Sequence, residues 1–446
     1  MSRIRIIITI IVVVLTTLLT GCTGKEPNEI AYVVALGIDS TDDDNYKITI
    51  QYANTTQISG GASESGGKAG SEIVDNVTIE APNIYAGVGL ANNIVSKSFS
   101  MSHAKLIVFS KEIAEKGVKD MIETLVRSEE IRPDVFIAVA NTTANDYLTS
   151  VNPEMEVNPA QYYQLIYQKN QLVGIPDGQL REFFTGLYTD NYDSILPVAG
   201  VIEGAGGNSQ NDNKGQSKDS QNEGSEGSSE SLDSFESKNS DENEKEKDAE
   251  KNTSKYEYDI KNYVGGETAI EKKNKAEAIG AAVFEKDKMV GELGEVETEI
   301  CKMLKGDYTY SYLTYYNNDT PDIPITVKTT QQKKPKYKID TDKKTVDIEL
   351  YIESDLYSLP ADYNVENKIE DFERDVANYT SSACTEFINN FTKYNSDILK
   401  LNEKVKYKFL TNNQYNWFKK NVGWSEYKFS VCTNFKVRRT GLIVRE

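Results

Sequence analysis

The apolar residues of this chain fall into blocks whose period changes along its length, and the first block is the most uniform. From Ile6 to Leu19 every residue is apolar or Thr, behind Arg3 and Arg5. A cationic start followed by about 7–15 apolar residues reads as a secretory signal. A bilayer-spanning helix would need roughly 20. The run leads into Leu19-Thr20-Gly21-Cys22, small residues before a cysteine, which reads as a lipobox. Residues 1–21 are therefore expected to be removed, and Cys22 to carry a diacylglyceryl group that holds the chain to a membrane. Burial contributes about 0.8 kcal/mol per CH₂, and two acyl chains anchor far better than one.

Beyond Cys22 the pattern alternates between strand and helix periods. Ile30 to Asp39 is a nearly continuous apolar run, and Tyr46 to Ala53 alternates through Ile48, Ile50 and Tyr52. With Asp42 to Asn45 as a turn, the two predict a hairpin. Ser59 to Ser71, rich in Gly, Ser and Ala, is expected to be a mobile loop. Asn83 to Ser96 has helical spacing, weakened by Gly87 and Gly89. Lys105 to Ser110 and Asp134 to Ala140 read as strands. Between them Lys111 to Arg127 predicts one amphipathic helix, N-capped by Ser110, with Ile113, Val118, Met121, Ile122 and Leu125 on one face. Ala160 to Gln168 and Gln179 to Tyr188 predict helices, and Ile195 to Ile202 a strand.

From about Gly204 to Lys255 almost no apolar side chain occurs. Such a segment cannot offset its conformational entropy by burial and is expected to be disordered. It divides the chain into an α/β domain at 22–203, a polar, acidic linker or insertion at 204–262, and a C-terminal region at 263–446. In that last region Ala278–Glu285 and Lys288–Gly294 predict a hairpin around Lys286-Asp287. Glu295 to Leu304 predicts a short helix, and Tyr308 to Tyr316 a strand. Val346, Ile348, Leu350 and Ile352 predict a half-buried strand. A long helix starts near Asn364, its stripe running through Ile369, Phe372, Val376, Tyr379, Ala383, Phe387, Phe391 and Tyr394 as a core face. Phe429 to Val437 alternates as a terminal strand. The pattern as a whole predicts an α+β fold of mixed β-sheets flanked by helices.

Charge narrows the function. The 446 residues carry 69 Asp and Glu against 50 Lys and Arg, a net −19, which argues against a nucleic-acid partner because phosphate binding needs a basic face. Only Cys301, Cys384 and Cys432 follow Cys22, and His103 is the one histidine. No CxxC, Cys/His cluster, Walker loop or GxGxxG after a strand occurs, so no metal or cofactor site is expected. One cysteine pair could bridge outside the cell, and spacing does not say which. Nothing singles out a carboxylate pair.

Several stretches, in order, resemble the Ger(x)C family, the lipoprotein C subunit of bacterial spore germinant receptors. They are Asn28-Glu29-Ile30 and Leu36-Gly37-Ile38-Asp39 after the lipobox, Ser102-His103-Ala104-Lys105, and Glu130-Ile131-Arg132. Ala282 to Gly291 with Glu297 beyond it, and Val437-Arg438-Arg439-Thr440-Gly441-Leu442-Ile443, complete the series. Thr23-Gly24-Lys25 stands where the family usually carries Trp-Asp, and the linker is longer than usual. The resemblance implies a non-enzymatic protein on the outer surface of the spore's inner membrane. It would act with a membrane-embedded A subunit and a transporter-like B subunit. It also implies three domains, each a sheet flanked by helices, with the long helix and terminal strand in the last.

The motif residues read as mostly structural or interfacial. His103 is expected as a satisfied histidine at a strand start, with a pH-sensitive contact as the alternative. Lys105 and Arg132 are expected to pair with Glu129, Glu130 or Asp39, worth roughly 0–1 kcal/mol at a surface. Gly291 and Gly441 are expected to serve φ > 0 or a close backbone approach. Arg438 and Arg439 alternate on a strand, so at most one faces the core. Two other classes stay open. A solute-binding lipoprotein of a transporter would show two similar lobes around a cleft, and an extracellular hydrolase would bring two carboxylates together in one.

Overall fold

β1 (Ile30–Ser40) and β2 (Tyr46–Ala53) form the antiparallel hairpin that their alternation predicts, with Leu36 opposite Ile50 and Ile38 opposite Ile48. They belong to a computed structural model that describes residues 3–9, 29–43, 45–53, 74–153, 156, 158–168, 174–189, 191–202, 262–268, 274–317, 320–359 and 368–440. Leu19, Thr20, Gly21 and Cys22, the expected loop at 59–71, nearly all of the expected linker and Gly441 lie outside the described residues.

Around the hairpin a first sheet assembles from β3 (Val74–Ala81), β4 (Ser98–Ser100), β5 (Leu106–Ser110), β6 (Phe136–Ala140), β7 (Ile195–Val201), β8 (Ala276–Glu285) and β9 (Lys288–Leu293). Its order is β3-β2-β1-β5-β6-β7-β8-β9, with β4 paired to the start of β1. β1, β5, β6 and β7 run parallel, and β8 joins β7 antiparallel. One sheet thus takes strands from both sides of the polar segment at 204–262.

The central strands are apolar without interruption because both faces are covered. Ile107, Phe109, Ile137 and Val139 pack on one side with α1 (Ile84–Ala91), α2 (Lys111–Lys116), α3 (Lys119–Val126) and, through Phe183, a later helix. Leu106, Val108, Phe136 and Ala138 pack on the other with α4 (Ala144–Ser150) and α5 (Pro159–Gln168). Phe183 belongs to α6 (Leu180–Thr189). Between the sheet and α4 and α5 lies a buried polar layer. Tyr163 Oη donates to Gln51 Oε1 at 2.5 Å, Gln51 Nε2 donates to the Leu148 carbonyl at 2.8 Å, and Tyr147 and Tyr167 share a hydroxyl bond of 2.9 Å.

The helix expected from Lys111 to Arg127 is two helices. Ser110 caps the first as expected, accepting from Ile113 N–H. Gly117 then takes φ 124°, which L side chains rarely adopt. A Cβ there would also crowd Asp287, whose carbonyl accepts the Val118 N–H at 3.0 Å. The helix expected to reach Ser96 stops at Ala91, because Asn92 turns its side-chain oxygen to the Phe99 N–H at 2.7 Å and starts β4.

A second sheet holds β10 (Tyr310–Asn317), β11 (Thr320–Gln331), β12 (Lys336–Asp340), β13 (Thr345–Ser358) and β14 (Lys428–Arg439). β14 lies parallel to β13 along one edge, and β12 and β11 take the other in succession. β13 buries Val346, Ile348, Leu350 and Ile352 on one face, as its alternation predicts. Against the second sheet lie α7 (Glu295–Lys305) and the long α8 (Ile369–Phe391), whose buried stripe includes Phe372, Val376, Tyr379, Cys384, Phe387 and Phe391. Ser381 and Glu373 of α8 accept the Thr433 and Val437 N–H groups of β14 at 2.9 Å each. α9 (Leu401–Val405) and α10 (Asn412–Asn421) follow. Ile195, Val283 and Leu293 of the first sheet enter the same core as Ile348, Cys384 and Leu401, so this core joins the two sheets. The fold is α+β, with mixed sheets flanked by helices.

Candidate functional site

Four parallel strands in one sheet bring the segments that precede them to one end. Ile30 opens β1, Ser102-His103-Ala104-Lys105 leads into β5, Glu130-Ile131-Arg132 into β6, and Asn191 to Ser194 into β7. Ser102 to Lys105 and Glu130 to Arg132 therefore meet at this end, beside the start of β1, while Leu36 to Asp39 lie toward the other end of that strand. Glu130 Oε2 accepts the Met101 N–H at 2.6 Å, tying the segment before β6 to the one before β5. Lys105 acts through its backbone, its N–H donating to Val34 C=O at 2.9 Å and its C=O accepting from Phe136 N–H at 3.0 Å. His103 is exposed at a turn. Its Nδ1 lies 3.0 Å from Ser102 Oγ, and its ring meets Tyr32 edge-on at 4.8 Å.

The ion pairs expected of Lys105 and Arg132 do not form among the described residues. Glu130 spends its carboxylate on a backbone N–H. Asp39 sits nine residues along β1 from Ile30, about 30 Å at the rise of a strand. There its carboxylate accepts the Ala144 and Asn145 N–H groups at 2.6 and 3.0 Å, capping α4. Burial pushes the Asp39 pKa up, against those two hydrogen bonds, which lower it.

Gly291 serves close approach, since a Cβ there would overlap the Tyr394 ring. Arg438 and Arg439 are both exposed near the end of β14, where the ladder shifts register between Ser354 and Asp355. Arg438 pairs with Glu353 at 2.9 Å. Glu297 accepts from Gly294 N–H at 3.0 Å and from Asn262 Nδ2 at 2.9 Å at the start of α7.

At the same end of the first sheet lies a junction that sequence reasoning missed. Asp193, just before β7, accepts Lys286 N–H at 2.8 Å through Oδ1 and Asp397 N–H at 2.7 Å through Oδ2. Asp397 in turn accepts Leu401 N–H at 2.7 Å and Asn402 N–H at 2.8 Å, capping α9. Burial pushes Asp397 up to about 8, despite the two hydrogen bonds, and the neighbouring Asp193 charge adds to the rise. The available signal was an Asp four residues ahead of Leu401-Asn402-Glu403, a helix-start pattern. A crevice of about 690 Å³ opens beside this junction, lined in part by Asp193, Lys286, Asp397, Asn402, Lys419 and Trp424.

The junction is built to hold chain segments together. All four carboxylate oxygens of Asp193 and Asp397 accept backbone N–H groups, which leaves no oxygen set aside to take a proton from a substrate or water. Cys301 and Cys384 are buried free thiols, raised by burial to about 11 and about 12, and Cys432 is an exposed free thiol. Among the described residues no three His, Cys, Asp or Glu side chains are grouped to hold a metal ion.

Residues 24–201 match the family described as spore germination protein N-terminal domain, and residues 279–441 match the spore germination B3/GerAC-like C-terminal family. Spore germination protein KC of Bacillus subtilis (strain 168) is 26% identical over 176 residues, 36% of this chain and 43% of that relative. Spore germination protein B3 of the same organism is 26% identical over 148 residues, 31% of this chain and 36% of that relative. The matched stretches thus span less than half of these relatives' lengths. The crystal structure of the GerBC protein is similar over 90% of this chain and 96% of that one, with TM-score 0.48 and 15% identity. With both halves matched in order, on either side of the polar segment, the chain belongs to the Ger(x)C family of spore germination proteins.

Proposed function

We propose that this protein is the C subunit of a spore germinant receptor, held to the outer surface of the spore's inner membrane by a diacylglyceryl group on Cys22. In this reading it carries no catalytic residue and no cofactor, and it acts through contacts with the membrane-embedded A subunit and the transporter-like B subunit in nutrient sensing. The observation that carries the proposal is the match of both halves of the chain to spore germination families.

Two features of the fold support it over the other classes. The first sheet is mixed and helix-covered on both faces, whereas the second has a different strand order, so the two are not the similar lobes of a solute-binding protein. The paired aspartates beside the crevice are engaged by backbone N–H groups, unlike the opposed carboxylates of a glycoside hydrolase. Membrane extraction tests the anchor. The wild-type chain is expected to stay with spore membranes through a high-salt wash, and a processed Cys22→Ala chain to be released by it. Retention of that variant through the wash, in cells lacking the A and B subunits, would refute lipid anchoring.

A further inference from the structure

From Lys404 to Ser425 the chain holds five lysines and not one Asp or Glu, although its net charge is −19. Among the described residues, the same stretch carries the most exposed large apolar side chains. Tyr407 is 92% exposed, Leu410 95% and Trp417 69%. They stand among lysines. Lys406 and Lys408 flank Tyr407, and Lys420 lies one turn beyond Trp417 on the outer side of α10, which buries only Tyr415. Apolar and aromatic side chains interleaved with lysine suit the boundary between anionic headgroups and acyl chains.

The fold says which way this patch faces. Lys419 Nζ donates to the Thr189 carbonyl and to Asn191 Oδ1 at 3.2 Å each, and Tyr415 Oη donates to the same Asn191 oxygen at 3.1 Å. α10 is thereby fixed to the segment that enters β7, at the N-terminal ends of the parallel strands. β1 starts from that end at Ile30, and β7 lies three strand spacings away, about 14 Å. Seven residues separate Cys22 from Ile30, and the eight steps between them can span at most about 28 Å. If Cys22 is lipidated, as proposed above, this end of the sheet faces the bilayer.

We propose that the segment from Lys404 to Ser425 is a second membrane contact, laying Tyr407, Leu410 and Trp417 into the headgroup region of an anionic lipid surface while the exposed Lys406 and Lys420 pair with lipid phosphates. Lys404, Lys408 and Lys419 direct their Nζ to carbonyls of the fold. The contact orients the protein on its tether, which attachment at one point cannot do alone. The proposal takes only its direction from the Cys22 reading, because the patch itself needs no lipid on the chain.

Vesicle sedimentation of the unlipidated chain from residue 22 onward tests it. That chain keeps every strand and helix of both sheets, since residues 3–9 are an exposed stretch outside either core. Sedimentation is expected with mixed phosphatidylglycerol and phosphatidylcholine vesicles, not with phosphatidylcholine alone, and should weaken as salt is raised. The pair Lys406→Gln and Lys420→Gln should weaken binding roughly twenty-fivefold, at about fivefold per lysine. Leu410→Ser with Trp417→Ser should weaken it at least about tenfold. Both variants should melt like the parent, their side chains being exposed. No sedimentation with anionic vesicles, or sedimentation that both pairs leave unchanged, overturns the proposal. So does absence of vesicle binding together with a germination defect in spores carrying the Leu410→Ser, Trp417→Ser pair, which would assign the patch to a protein partner. Failure of the Cys22 anchor would appear only in the extraction experiment and leave the vesicle result unaltered.

Discussion

Asp193 Oδ2 accepts the backbone N–H of Asp397 at 2.7 Å, joining residues 204 positions apart. The bond links the strand-entry segment of the first sheet to the helix-entry segment that follows α8. Because Asp397 goes on to cap α9 and Asp193 also holds Lys286 N–H, one carboxylate pair positions three segments. Asp193→Ala strands the part-buried N–H of Asp397, at about 1–3 kcal/mol, whereas the exposed N–H of Lys286 can turn to water. Chemical denaturation is expected to show a loss of roughly 1–3 kcal/mol. A loss under about 0.5 kcal/mol, the scale of an ordinary surface substitution, would show that the junction does not hold these segments.

Asp397 of this pair, together with Glu299, gives stability a pH dependence of defined sign. Asp397 is raised by burial from 3.8 to about 8, and Glu299, between α7 and the second sheet, from 4.5 to about 8, also by burial. Between about pH 4 and 8 the folded chain holds protons that the unfolded chain has lost, so stability falls as pH rises through that window. Thermal melting should show a higher midpoint at pH 5 than at pH 8, and Glu299→Gln should flatten the slope. A midpoint that climbs from pH 5 to pH 8 would mean that hydrogen bonds, from backbone N–H groups to Asp397 and from Ser311 Oγ to Glu299, and not burial, govern these carboxyls.

Thiol chemistry separates the three cysteines beyond Cys22. Cys301 and Cys384 sit in the core shared by the two sheets, and Cys432 is on the exposed side of β14. In a chain carrying Cys22→Ala, one thiol should react rapidly with a water-soluble disulfide reagent in the native state and three after denaturation. Two or more fast native thiols would contradict the burial of Cys301 and Cys384.

The buried tyrosine layer has its own test. Tyr163→Phe removes the donor to Gln51 Oε1 and strands a buried amide oxygen, at a cost of about 1–3 kcal/mol. Replacing both partners, with Gln51→Leu added to Tyr163→Phe, should recover part of that loss. A single variant as stable as the parent would show that the amide finds another partner.

Much of the fold was legible in residue pattern, and the gaps have physical causes. β1, β5, β7, β13 and α8 stood out because burial imposes an unbroken run, a period of two or a period of three to four. β3 and β12 did not, because half or more of their residues are polar or charged and they are held by ladder hydrogen bonds to neighbours that sequence does not place. The break at Gly117 was hidden because Lys111 to Arg127 keeps its helical spacing across it, and only packing on Asp287 fixes the positive φ. Of the candidate site, Glu130 and His103 were visible as motif residues. Their meeting at one end of a parallel sheet was not, since it depends on strand order. The Asp193–Asp397 junction joins distant segments, and spacing could not pair them.

The most direct test of the central claim is germination of spores in which this gene is deleted, followed against a nutrient panel and complemented with the wild-type chain or with Cys22→Ala. A receptor C subunit predicts lost response to one nutrient class, restored by the wild-type chain and poorly by the unanchored variant. Normal germination toward every nutrient, with the tagged wild-type protein absent from spore membranes, would contradict it.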